Sequence, residues 1–211
     1  MTIEDRDDEC GADNDLGSAP AYVHSLWIVV FLNAAMFVLG GAIALFGRSV
    51  SVQADALDFL GDAVATGIGV VLVGAAPLVR NRVAWWQGAA LGTLGLFTLG
   101  SVLWRVLRAE VPAATAMGVY GALGLIVNLV STLLLLRYRD GDATVRAVWL
   151  YSRNDAIGNV AVLAASAVVA WTGSRWPDIA VGAALAALFL HAAYEILRQA
   201  SIERRELHRV R

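Results

Sequence analysis

Two aspartates stand four residues apart in a stretch otherwise fit for lipid: Ala54-Asp55-Ala56-Leu57-Asp58-Phe59-Leu60-Gly61-Asp62-Ala63-Val64. On a helix Asp58 and Asp62 fall at i and i+4 and project from one face, where they could clasp one cation. Asp55 lies close to the same stripe. A carboxylate at a bilayer midplane costs roughly 2.5–3.5 kcal/mol even on the gentler scales, and such residues are kept almost only where ions or protons are handled. A second polar stripe follows later: Tyr151, Asp155 and Asn159 at i, i+4 and i+8, with Asn154 beside them. Together the stripes offer carboxylates, an amide oxygen and a phenol. Oxygen-rich sets suit divalent cations, with the harder ones favoured when imidazole and thiolate are absent. Crowded like charges also favour keeping a proton, so protons and a cation compete for the same oxygens. That competition is the physical basis of cation/proton exchange.

The elements that must carry these groups are membrane helices. Apolar residues make up 58% of the 211, against roughly 45–50% in soluble domains, and mean hydropathy is +0.64. Six stretches are long enough to cross about 30 Å of hydrocarbon, near residues 26–46, 53–76, 85–107, 114–136, 146–171 and 178–198. Short connections make neighbours in sequence antiparallel neighbours in space. The expected fold class is all-α, a polytopic membrane protein with six transmembrane helices forming one transport domain over residues 25–200. Residues 1–24, crowded with Glu4, Asp5, Asp7, Asp8, Glu9, Asp13 and Asp15, read as a disordered acidic cytosolic tail. They lack the positive start and apolar core of a signal peptide. Residues 201–211 read as a short basic cytosolic tail.

Net charge is −2, but its distribution says more. Every basic residue is arginine. Arg80, Arg82, Arg137, Arg139, Arg146, Arg198, Arg204, Arg205, Arg209 and Arg211 fall on one side of the six-span arrangement. Only Arg48, Arg105, Arg108 and Arg175 fall on the other. The positive-inside rule then places both termini in the cytoplasm of a multi-pass cell-membrane protein. In that topology Asp58 and Asp62 lie roughly 8 and 14 Å below the outer edge, and Asp155 roughly 14 Å from the inner edge. The two stripes therefore reach comparable depth from opposite sides. Cys10 is the lone cysteine, so neither a disulfide nor a cysteine metal motif is available. The dispersed juxtamembrane arginines give nucleic-acid binding no support.

Other polar residues have structural readings as well. Asn33 and Asn128 fit interhelical hydrogen bonds worth about 0.6 kcal/mol each. Asp55 fits either a cap on the second helix or support of the site, and Asp155 has Arg153 as an alternative partner. Asp178 beside Pro177 reads as a helix start. His191 fits packing or a dimer contact. Glycines at 118, 121 and 124 suit close helix packing, and Trp85, Trp86, Trp149, Trp171 and Trp176 suit interfacial anchoring.

These residues resemble a known family, the cation diffusion facilitators. The segment Ala54 to Asp62 is similar to the family's second-helix pattern, an Asp or His followed four residues later by Asp, and Asp58 and Asp62 match its liganding positions. Asp155 matches the aspartate of the fifth-helix pattern. Trp176-Pro177-Asp178-Ile179-Ala180-Val181-Gly182 resembles the start of the family's sixth helix, and Asn33 and Asn128 resemble polar positions of the first and fourth. The resemblance covers residues 26–200 or so, the family's transmembrane domain. Only a basic tail follows, so the family's cytosolic C-terminal domain is expected to be lacking.

The resemblance implies a homodimer that exports a divalent metal against protons by alternating access around a tetrahedral site. Zinc, manganese, iron or cobalt would be cargo, and no resident cofactor is expected. The partners it implies are the metal ion, protons, membrane lipid and a second copy of the chain. The expected metal ligands are Asp58, Asp62, Asp155 and Asn159, supported by Asp55, Tyr151, Asn154, Asn33 and Asn128. One departure matters: the family's usual histidine in the fifth-helix pattern is here Tyr151, so Asn159 or a water takes the fourth position. Two alternatives stand beside transport. One is a non-transporting membrane metal sensor or subunit. The other is an intramembrane aspartyl protease, since Leu60-Gly61-Asp62 is similar to a Gly-x-Gly-Asp signature with Phe59 in place of its first glycine. An enzyme is not the expected reading.

Overall fold

The computed structural model describes residues 20–72, 76–108, 110–136 and 143–209, with side chains described except at 77, 143–154 and 206–209. The described residues form six helices and no strand: α1 Pro20–Gly47, α2 Val50–Val71, α3 Pro77–Arg108, α4 Ala114–Leu136, α5 Ala143–Thr172 and α6 Trp176–Arg209. Each expected span has its helix. The helices are mostly longer than the spans, with α1 beginning at Pro20 and α6 continuing to Arg209. The exceptions are α4, which coincides with its expected span, and α2, whose end at Val71 falls five residues short of the expected 76.

By length and composition, five of these helices can cross a membrane: α1, α3, α4, α5 from Asp155 onward, and α6 to Arg205. Their outward faces carry large apolar side chains, among them Phe46 at 87% exposure, Leu107 at 79% and Trp171 at 88%. That is the surface hydrocarbon solvates without cost, because lipid tails are as apolar as the side chains. The helix outside this group is α2, which carries Asp55, Asp58 and Asp62. Its position explains how it can. It packs against all five other helices, most extensively against α1 and then α6, so protein replaces lipid around its polar stripe.

Two packing units meet at α2. The first is a core of Met36 from α1, Val52, Ala56 and Phe59 from α2, Met117 and Tyr120 from α4, and Val162, Ala165 and Val169 from α5. The second is the α3–α6 pair, the most extensive helix contact in the molecule. Asn81 ties its ends together, donating from Nδ2 to the Ala200 carbonyl at 2.7 Å. Close approach in the first unit depends on small residues. At Gly121 of α4 a Cβ would lie 3.2 Å from the Leu163 nitrogen of α5, and at Gly124 it would fall inside the Asn159 amide. The Tyr120 hydroxyl occupies the space a side chain at Gly40 would need and donates to the Met36 carbonyl at 3.2 Å. Its ring meets Phe59 edge-on at 6.3 Å between centroids, so one phenol joins α1, α2 and α4.

The helix ends are set by local chemistry. Gly173 has φ +64 after the last turn of α5, the left-handed conformation glycine adopts without a Cβ penalty. Its N–H closes onto the Val169 carbonyl at 2.9 Å. Ser49 caps α2, with Oγ accepting from the Val52 N–H at 3.1 Å. The cap reading of Asp55 is thereby overturned: it lies more than a turn inside the helix, where every N–H already has a local carbonyl. The remaining free N–H groups of α2 are satisfied from α6. Asp178 accepts from the Val50 N–H at 2.9 Å through Oδ2, and through Oδ1 from the Ser51 N–H at 3.0 Å. Oδ1 also accepts from the Ser49 and Ser51 hydroxyls, each at 2.6 Å. Asp178 therefore begins its own helix, as its place beside Pro177 predicts, and caps a different one.

Candidate metal site between α2 and α5

The stripe on α2 and the stripe on α5 meet inside the bundle. Carboxylate oxygens of Asp58, Asp62 and Asp155, one from each residue, all lie within 4.8 Å of one another, and all three side chains are partly buried. The local causes are those described above. Asp58 and Asp62 share a face because they are one helical turn apart. Asp155 reaches them because α5 is seated against the glycines of α4 while α2 packs against both helices.

Electrostatics determines what this arrangement can do. At 4.8 Å, two carboxylates repel by about 3.5 kcal/mol at an effective dielectric near 20, and three of them make three such pairs. The cluster cannot stand fully ionised without a cation or proton among its oxygens. The oxygens of Asp62 and Asp155 belong to that same close set, so a proton or a cation placed among them relieves the repulsion. A divalent cation would neutralise the cluster more completely. Metal–oxygen bonds of about 2.0–2.2 Å place ligand oxygens roughly 3–4.4 Å apart, so small side-chain rotations bring the three onto one ion.

The remaining expected site residues divide by position. Asp55 is 2% exposed, and its Oδ2 has no hydrogen-bond partner among the described residues. Asn159, one turn beyond Asp155, is 1% exposed. Its Nδ2 donates to the Asp155 carbonyl at 3.0 Å, while its Oδ1 lies against Gly124 of α4 without a hydrogen-bond partner among the described residues. Asn33 is buried on α1, with Nδ2 on the Val29 carbonyl of its own helix at 2.8 Å and Oδ1 unpartnered. It is thus bonded within its helix rather than across to a neighbour. Asn128 is buried on α4 at 2% exposure. Tyr151 and Asn154 lie on α5, but their side chains, like that of Arg153, fall outside the described residues. His191 is exposed on α6.

Sequence reasoning missed the role of Asp178 toward α2. An aspartate after Pro at a helix start explains itself locally, and nothing in the pattern points to a second helix. The only available signal was Ser49-Val50-Ser51, two hydroxyls at a helix start that can turn toward an outside acceptor.

Comparison with known proteins adds to this geometry. The family model described as the cation efflux transmembrane domain matches residues 84–202, which run from α3 into α6 and include Asp155. The chain is 27% identical over 186 residues to the metal cation efflux system protein CzcD of Cupriavidus metallidurans, covering 82% of this chain and 59% of that protein. It is 25% identical over 114 residues to the cadmium, cobalt and zinc/H(+)-K(+) antiporter of Bacillus subtilis, covering 53% of this chain and 37% of that one. The chain thus spans about three fifths of the first relative's length and little more than a third of the second's.

Proposed function

The chain belongs to the cation efflux family, and we propose that it carries a divalent metal ion across the membrane in exchange for protons. The observation that carries this reading is the Asp58, Asp62 and Asp155 cluster inside the helix bundle. Members of the family are transporters, which removes the protease alternative. The multi-pass architecture of apolar helices around a polar one is what such transport requires.

In this reading the three aspartates hold the metal, which is the substrate. Asn159 supplies the fourth oxygen, taking the place that Tyr151 leaves without an imidazole. Only the deprotonated carboxylates bind metal, so each binding event displaces protons and each protonation favours release. Protons taken up by the three-carboxylate cluster are the counter-ions when the metal leaves. Asp55, Tyr151, Asn154, Asn33 and Asn128 support the site. The arginine distribution favours both termini in the cytoplasm, and export is the direction that the family resemblance implies. The transport domain begins with α1, which already takes in residues 20–24 of the expected acidic tail, and ends within α6, which continues through the expected basic tail to Arg209; the working unit is a homodimer. Zinc and cobalt head the substrate list, with manganese and iron next. The Bacillus relative named for cadmium, cobalt and zinc supports that order.

The test is ion flux into proteoliposomes containing the purified chain, across zinc, cobalt, manganese, iron and cadmium, with and without a pH gradient. Gradient-driven flux that disappears in the Asp58→Ala, Asp62→Ala double variant is the expected result. Tight metal binding with no flux for any ion would replace transport with a sensor or subunit role.

A further inference from the structure

We propose that Asp178 and Gly182 of α6 form a seat that fixes the depth and rotation of α2, and so holds Asp58 and Asp62 opposite Asp155. The inference rests on the metal-transport reading above and names a positioning residue for it. A helix can satisfy its first turn with its own cap, and Ser49 does so for the Val52 N–H. The Val50 and Ser51 N–H groups are instead given to a carboxylate more than 120 residues away in sequence, together with two hydroxyls. All of these groups are buried: Val50 and Ser51 at 0% exposure, Ser49 at 1%, Asp178 at 2%. Charge-assisted bonds of this kind are roughly twice as strong as neutral ones. They also place the anion at the positive end of the α2 dipole.

Shape reinforces the bonds. Gly182 lies one turn beyond Asp178 on the same face of α6. A Cβ there would sit 2.8 Å from Val50 Cγ1, 3.3 Å from the Val50 carbonyl carbon and 3.4 Å from the Ser51 nitrogen. The backbone of α2 is therefore both hydrogen-bonded to α6 and pressed onto it at the same two residues. Val50 continues the contact into an apolar cluster with Val102 of α3 and Ile179 of α6. The anchored turn and the site share one rigid rod. Asp58 lies eight residues beyond Val50, roughly 12 Å along the helix. A binding constellation must hold its geometry to about 0.5 Å. A shift of the first turn therefore carries both α2 carboxylates away from Asp155.

The experiment uses the full chain in detergent and in proteoliposomes, with Co(II) as the binding probe and zinc flux as the activity. The visible absorption of Co(II) reports the geometry of its ligands as well as its affinity. Asp58→Asn is the control that removes a ligand. Asp178→Asn and Gly182→Ala are expected to keep helical content and a single elution peak. Both should bind Co(II) about tenfold more weakly, the usual cost of disturbing a ligand's support. The Co(II) band should change shape, and the KM for zinc flux should rise more than turnover falls. Ser51→Ala, which removes one of the four bonds, is expected to show the same changes in smaller degree. A folded Asp178→Asn or Gly182→Ala protein with the wild-type Co(II) band and affinity would overturn the proposal. If Asp178→Asn does not fold, Gly182→Ala decides, because it keeps every donor and acceptor. Absence of both Co(II) binding and zinc flux in the wild type would overturn the transport reading itself, and no seat variant is needed to see it.

Discussion

Carboxylates meet α2 at two levels, Asp178 at its first turn and the Asp58, Asp62 and Asp155 cluster near its middle, and the two places are opposites. Asp178 is surrounded by donors: two backbone N–H groups and two hydroxyls, with the positive end of a helix behind them. Asp58, Asp62 and Asp155 face one another, so each meets negative charge where Asp178 meets hydrogen. The same side chain is structural in one place and open to cargo in the other. What separates them is whether the fold supplies the counter-charge. Where it does, the carboxylate locks two helices together; where it does not, the deficit must be filled by an exchangeable ion.

This contrast can be broken at either end. The largest effect is expected for Asp58→Ala with Asp62→Ala. Calorimetric titration should find no zinc binding, while the thermal midpoint stays level or rises, because each removed pair had repelled by about 3.5 kcal/mol. A fall in midpoint as large as that of an Asp178 variant would erase the distinction. Next comes Asp178→Ala, with the opposite signature. Each buried donor left without its acceptor costs about 1–3 kcal/mol, so the midpoint should drop sharply. A midpoint unchanged from wild type would mean that water or another group serves the α2 terminus equally well.

Acid should sharpen the contrast. Zinc affinity of the wild type is expected to weaken as pH falls, by roughly tenfold per unit for each proton displaced, because only ionised carboxylates ligate. Asp178→Asn should keep that slope, since its group is not among those exchanging metal for protons. A flattened slope in this variant would place Asp178 inside the exchanging set. Smaller again is Gly124→Ala, whose Cβ falls inside the Asn159 amide and must push it aside. If Asn159 is a ligand, this variant and Asn159→Ala should lose affinity to a similar extent in equilibrium dialysis with zinc. An unaltered Asn159→Ala would leave the fourth position to water. Least is expected of Asn33→Ala, whose amide bonds only its own helix: a stability loss of about 0.5–1.5 kcal/mol, the usual net worth of one hydrogen bond, with only a slight weakening of zinc binding.

Much of this is legible in the sequence. Long apolar runs locate the helices because lipid and a buried core make the same demand on every residue of a span. Their ends were less legible: α2 stops at Val71 and α1 begins at Pro20, since helices need not end where hydropathy does. The pairing of Asp58 with Asp62 is a one-turn relation, and the residue types alone identify it. Asp55 shows where local reading fails, because a cap and a mid-helix carboxylate look alike until the true cap, Ser49, is seen. The glycines of α4 announce close packing but not the partner, which proves to be α5.

Sequence alone therefore determined that the chain crosses the membrane on several helices and that two of them carry carboxylate stripes fit for a divalent ion. Periodicity and residue chemistry act over a turn or a span, and both are written locally. The tertiary structure alone decided that α2 sits among all the other helices, that Asp155 completes its pair of aspartates, and that Asp178 holds its first turn. Those relations join residues about a hundred or more positions apart, through helix registers that many small packing contacts choose together and no single residue encodes.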